Sequence, residues 1–167
     1  VYGLVGMIVI VPLVRETFNL SDGANLFSAI IVLTVMILPS VISVSETAIR
    51  SVPKEYEEAS LALGATKTET VFKVVVPAAK SGILTSVVLG IGRAIGEAMA
   101  VMMVAGNVAN MPGLFTSVRF LTTAVASEMS YSSGLQREAL FSIALVLFVF
   151  IMLINVVLNL IAKKKER

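Results

Sequence analysis

Arg93 and Glu97 are the only charged residues between Gly82 and Gly106, a stretch that is otherwise apolar, small or hydroxylic. A charge at the centre of a bilayer costs at least about 2.5 kcal/mol, so both side chains must face protein or a water-filled route. The chemistry they offer is anion handling. The planar guanidinium fork binds two oxygens at once and stays charged at any relevant pH, which suits phosphate or sulfate. A spacing of four puts the pair on one helical face, and Ser86 and Gly90 extend the same stripe, giving a narrow small and polar face that can line a path for an oxyanion. Two plainer roles compete: an internal Arg93–Glu97 pair that only neutralises itself, and a small-xxx-small helix contact made by Gly92 and Gly96.

Other chemistry lacks its usual residues. With 0 Cys and 0 His there is no thiolate and no imidazole, so neither a metal site nor a cofactor is expected, and no catalytic residue. A glycine-rich nucleotide loop ending in Lys-Ser or Lys-Thr is missing, and Gly90-Ile91-Gly92 lies inside an apolar run rather than after a strand. The formal charge of +2 does not favour nucleic acid as a partner. Between Asn107 and Glu138 a long loop offers Arg119, Thr122, Thr123 and Glu128 as an outer mouth for an anion; a helix resting on the outer surface is the alternative.

The elements that must position these residues are membrane helices. The chain is 57% hydrophobic and 14% charged, where soluble domains carry about 25% charge, so its apolar surface needs lipid or other subunits as solvent. Four spans are expected, at about 1–14, 24–45, 82–106 and 139–162; the second and fourth are uncharged and long enough to cross about 30 Å of hydrocarbon. The chain opens at Val1 on an apolar run with no initiator Met, which reads as a fragment of a longer chain. Lys163, Lys164, Lys165 and Arg167 place the C-terminus in the cytoplasm. Residues 46–81 then also face inward with Arg50, Lys54, Lys67, Lys73 and Lys80, leaving Arg15, Arg119 and Arg137 outside.

The inward loop at 51–77 is highly organised. Pro53 suits a first helical position, Lys54 to Leu63 are good helix formers, and Gly64 ends that helix. Thr66 and Glu69 have capping-box spacing and open a second helix that must stop before Pro77. Tyr56, Leu61, Leu63 and Phe72 on such short helices point to a docking surface for a protein beneath. In the second span, Pro39 predicts a fixed kink.

Glu58-Ala59-Ser60, Gly64, Val74, Val76 and Pro77 resemble the EAA signature of ABC importer permeases: Glu-Ala-Ala, three residues, Gly, nine residues, Ile-x-Leu-Pro. Ser60, Val74 and Val76 are the departures. The resemblance implies a type I, MetI-like permease fold, an all-α polytopic bundle whose coupling loop seats in a cytoplasmic ATPase, with Glu58, Ala59 and Gly64 as contact and hinge. Gly90 to Glu97, continuing to Asn107, is similar to the fifth membrane helix of PstC-type subunits of phosphate ABC transporters. Ile30 to Arg50 and Tyr56 to Gly82 are similar to the same subunits, and the likeness covers most of 26–162. It implies that Arg93 and Glu97 adjoin the phosphate path; Ala98 stands where that family has Thr.

The expected protein is therefore a multi-pass component of a bacterial or archaeal inner membrane, holding the third through sixth helices of a phosphate permease. The resemblance further implies a PstA-like second permease, a PstB-like ATPase dimer and a PstS-like extracytoplasmic binding protein. An ABC permease for another solute, a secondary transporter or channel using Arg93 and Glu97, and a purely structural membrane subunit are the competing readings.

Overall fold

The computed structural model describes residues 1–164. Lys165 and Arg167 of the basic C-terminal cluster lie outside the described residues, as do the side chains of Lys163 and Lys164. The described chain is helical throughout its regular parts and has no strand; one isolated bridge joins Gly106 and Val118. The order is α1 (Tyr2–Val5), a π-helical turn (Gly6–Ile10), α2 (Val11–Thr17), α3 (Leu26–Arg50), α4 (Lys54–Ala62) and α5 (Lys67–Thr70). A second π-helical turn (Val71–Val75) follows, then α6 (Val76–Ala78), α7 (Lys80–Gly96), α8 (Met99–Val104), α9 (Leu121–Glu128) and α10 (Leu135–Lys164).

Two of these helices are long and apolar enough to cross a membrane, α3 and the Leu135–Leu158 part of α10. The other two expected spans take different forms. Residues 1–14 are helical but change register, from α to π and back, before ending at Thr17. The span at 82–106 is interrupted: α7 stops at Gly96 and α8 starts at Met99. Gly96 is a poor helix former, and the Glu97 carboxylate offers an alternative partner, since its Oε1 accepts from Ala100 N at 3.0 Å.

Two compact units divide the chain, 1–37 with 93–153 and 38–92 with 154–167. In the first unit, Ala29, Val32 and Met36 on α3 pack with Ala100, Val101 and Val104 on α8 and with Ala105 and Val118. Asn25 opens α3 by accepting from Ser28 N at 2.9 Å. Two further α3 donors are met by the loop at 105–134: Leu26 N bonds Thr116 O and Phe27 N bonds Leu114 O. Helix α3 continues through Pro39, which falls within two residues of the division between the units.

The second unit packs on small residues. A Cβ on Gly82 would lie 2.4 Å from Ala48, and one on Gly90 would lie 2.6 Å from Val41. Between them, Ser86 Oγ meets Ser45 Oγ at 2.7 Å. Gly82, Ser86 and Gly90 thus form a stripe at intervals of four that brings α7 onto α3, the way membrane helices gain contact where lipid supplies no hydrophobic drive. The glycine pair expected for this role behaves differently: Gly92 faces Asn155 Oδ1, and a Cβ on Gly96 would meet nothing within 4 Å.

Candidate substrate path and coupling loop

The loop at 51–77 folds as a closed local structure. Helix α4 ends in a Schellman motif, with Gly64 N bonding Leu61 O at 2.9 Å and Ala65 N bonding Ser60 O at 3.3 Å. This needs a left-handed residue, and Gly64 has φ +84°. The next helix begins with the expected capping box: Glu69 N donates to Thr66 Oγ1 at 3.3 Å, and Thr66 N donates to Glu69 Oε2 at 3.1 Å. The Thr66 backbone N–H, the Thr66 hydroxyl, which donates to Glu69 Oε2 at 3.0 Å, and the Lys73 ammonium hold the Glu69 carboxyl below its ordinary 4.5. Ser60 Oγ then joins buried Thr70 Oγ1 at 2.9 Å across the bend. Gly64 is a fixed corner, held from both sides.

Contrary to the sequence expectation, the second helix does not stop before Pro77. It widens into the π-helical turn, where Val76 N bonds Val71 O, and Pro77 enters as an early residue of α6, a position where its missing N–H costs nothing. The break comes at Ala79, after which the chain bends by 64° into α7. Glu58, Ala59 and Pro77 are exposed. So are the large apolar side chains Leu63, at 90%, and Phe72, at 70%, together with Tyr56.

Arg93 lies exposed in the last turn of α7, and Glu97 is half-buried just past its end. The helix break changes their relation, because four residues no longer mean one turn of one helix. The Glu97 carboxylate has no ion-pair partner among the described residues, and its only hydrogen bond comes from Ala100 N. Ser86 and Gly90, expected on the same path, are buried in the contact with α3.

The structure does unite Glu97 with one residue of the loop at 105–134 and its short helix. Thr122 Oγ1 donates to Glu97 O at 3.2 Å, and both help to line a cavity of about 360 Å³. The remaining wall is apolar, including Leu33, Ala94, Val101, Phe120, Leu147 and Phe150. Thr123 is buried and caps α9, accepting from Phe120 N at 3.1 Å and donating to Asn107 Oδ1 at 3.3 Å. Arg119 is paired with Glu128. Sequence spacing missed the cavity because its wall comes from four separate stretches of chain; only the Thr123 cap had a local cue, a hydroxyl three residues past the start of an apolar helix.

Comparison with known proteins places the chain in a transport family. The family model described as the binding-protein-dependent transport system inner membrane component matches residues 3–167. The probable ABC transporter permease protein YqgH of Bacillus subtilis is 43% identical over 93% of this chain and 52% of its own length. The phosphate transport system permease protein PstC of Haemophilus influenzae is 34% identical over all of this chain and 59% of its own length. PstC 2 of Mycobacterium tuberculosis is 40% identical over 88% of this chain and 46% of its own. The chain thus spans about half the length of the curated relatives it matches. No solved structure matches significantly. A membrane protein of helical build, the chain belongs to the family of binding-protein-dependent transport system inner membrane components.

Proposed function

We propose that this chain is part of the permease subunit of an ATP-driven importer, with inorganic phosphate as the transported anion. The observation that carries the ATP-driven part is the coupling loop. It satisfies its own polar groups through two caps and a clasp while leaving Leu63 and Phe72 in the open, as a preformed docking element must. A secondary transporter or channel has no need of it. Phosphate is supported by the names of the PstC relatives and by an arginine near the end of an apolar helix. That Glu97 lacks an ion-pair partner among the described residues counts against a self-neutralised structural pair.

In this reading there are four crossings, the loop at 51–77 and the C-terminus are cytoplasmic, and the partners are a second permease, an ATPase dimer and an extracytoplasmic binding protein. The ATPase seats against Glu58, Ala59, Ser60, Gly64 and Pro77. Its closure moves the loop as one piece, pulling on α7 through the bend at Ala79 and switching Arg93 between outward and inward access. Arg93 presents the guanidinium to phosphate, while Arg119 and Thr122 lie outside it. In the intact assembly, Arg93→Ala should lower phosphate uptake at least tenfold while all subunits still copurify. Undiminished uptake would rule the substrate role out.

A further inference from the structure

Helix α9 is fastened differently from the rest of its connection. Main-chain bonds fix residues 105–118 to their unit, ending with Val118 N, which donates to Ala105 O at 2.9 Å. Among the described residues, the main-chain to main-chain bonds of 119–133 stay within that segment, and Thr123 alone of the eight α9 residues is buried. An element with so little buried surface depends on its side-chain ties. Arg119, just ahead of α9, pairs with Glu128 at its end, and the other Glu128 oxygen accepts from Gln136 Nε2, in the first turn of α10, at 3.2 Å. Arg119 and Glu128 are each 32% exposed, so this three-member network is less screened than an isolated surface pair. Two hydroxyls add ties, Thr122 Oγ1 to Glu97 O at 3.2 Å and Thr123 Oγ1 to Asn107 Oδ1 at 3.3 Å. Between α9 and α10, Gly134 has φ +58° and open space where a Cβ would be, a corner that can turn without a clash.

The head of α9 is also one wall of the cavity of about 360 Å³: Phe120, Leu121 and Thr122 line it together with Leu33, Val101 and Leu147 from three other stretches of chain. Lifting α9 removes that wall. We infer that α9 is a lid on this cavity and that the Glu128 carboxylate is its latch, holding Arg119 and Gln136 from two sides. Which solute the lid guards rests on the phosphate reading above; the latch itself does not.

The test follows α9 in the intact transporter assembly in nanodiscs. A helix this short frays once its ties are cut, so amide hydrogen exchange at 121–128 should be at least about tenfold faster in Glu128→Gln, with 114–118 unchanged. Arg119→Glu combined with Glu128→Arg reverses the pair and should bring exchange back to within about threefold of the natural chain. Opening of the lid is read at Val101, which lines the cavity and is 2% exposed. The chain has no cysteine, so Val101→Cys supplies its single thiol. Modification of that thiol by methyl methanethiosulfonate, measured on its own peptide, should be at least about tenfold faster when Glu128→Gln is added, and slow again with the reversed pair. Exchange that ignores Glu128→Gln, or that the reversed pair does not restore, overturns the latch. Faster exchange with an unchanged thiol rate overturns the lid and makes α9 a plain staple. Should Glu128→Gln fail to assemble, Gln136→Leu, which cuts only the tie to α10, decides by the same two readouts. Undiminished uptake in Arg93→Ala removes phosphate as the guarded solute and leaves the latch standing.

Discussion

The two long connections in this chain, residues 51–79 and residues 105–134, solve opposite problems. Both contain a short helix and a glycine in the left-handed region, Gly64 at φ +84° and Gly106 at φ +81°. The first closes its polar groups on itself and turns its apolar side chains outward. The second is tied into its own unit: Phe115 stacks with Phe18 at 4.9 Å and Phe27 at 5.6 Å, and Ser117 Oγ donates to Ala24 O at 2.6 Å. It also closes the exposed donors at the head of α3. One loop is built to hold its shape while touching something else, the other to be part of the fold.

The glycines make the contrast measurable. A Cβ on Gly106 would lie 2.5 Å from Ser117 Oγ and 2.8 Å from Ala24 O, so Gly106→Ala adds a clash to the left-handed strain and dislodges the Ser117 hydrogen bond. Left-handed strain of about 1–2 kcal/mol and a lost hydrogen bond of about 1 kcal/mol together predict a loss of about 2–4 kcal/mol. Thermal unfolding of the purified permease should show it, with a marked fall in midpoint. A stable Gly106→Ala protein would mean that the loop at 105–134 is not integral to its unit.

The reverse pattern is expected on the loop at 51–79. Replacing Leu63 and Phe72 together by Ala should weaken ATPase association on the order of tenfold or more, as losing apolar anchors does, yet leave the unfolding midpoint of the isolated permease unchanged because both side chains are exposed. Unfolding at lower temperature with normal association would invert the assignment. Gly64→Ala is milder. A Cβ there meets nothing within 4 Å, so only the left-handed strain of about 1–2 kcal/mol remains. It should loosen the corner and halve or further reduce coupled ATPase activity, read as hydrolysis stimulated by the binding protein.

What could be read from the sequence divides along the same line. The helix, Gly64 corner and Thr66–Glu69 box are set by residues within a few positions of one another, so spacing alone revealed them. The break after Gly96 was hidden because Ala98 to Val104 continue the apolar pattern of a helix, and only a side-chain bond from Glu97 to Ala100 N makes the interruption favourable. The Ser86 and Gly90 stripe was visible as a face, but its neighbour, Ser45 and Val41 on α3, was not, since periodicity says which residues share a side and not what lies opposite. Thr122 and Thr123, adjacent in sequence, took unlike roles for the same reason: one reaches Glu97 O, and the other closes its own helix.

The smallest expected effect concerns Glu69, and it isolates the loop at 51–79 by pH. The Thr66 backbone N–H, the Thr66 hydroxyl and Lys73 all favour the ionised carboxylate, so its folded value lies below the unfolded 4.5. The contribution is therefore fully present above 4.5 and is lost as pH falls through the lower, folded value. Because Glu69 is exposed, solvent screening keeps it small. Hydrogen exchange of the intact assembly, corrected for intrinsic rates, should speed up at residues 66–75 when pH drops from 7 to below 4.5. Glu69→Gln keeps an acceptor for the capping box without a titrating group, so its exchange over 66–75 should not respond to the same drop. Residues 114–118, whose loop bonds use backbone and hydroxyl groups, should not respond in either protein. A response of equal size in both loops, or one that survives in Glu69→Gln, would show that acid acts on the whole assembly rather than through this cap.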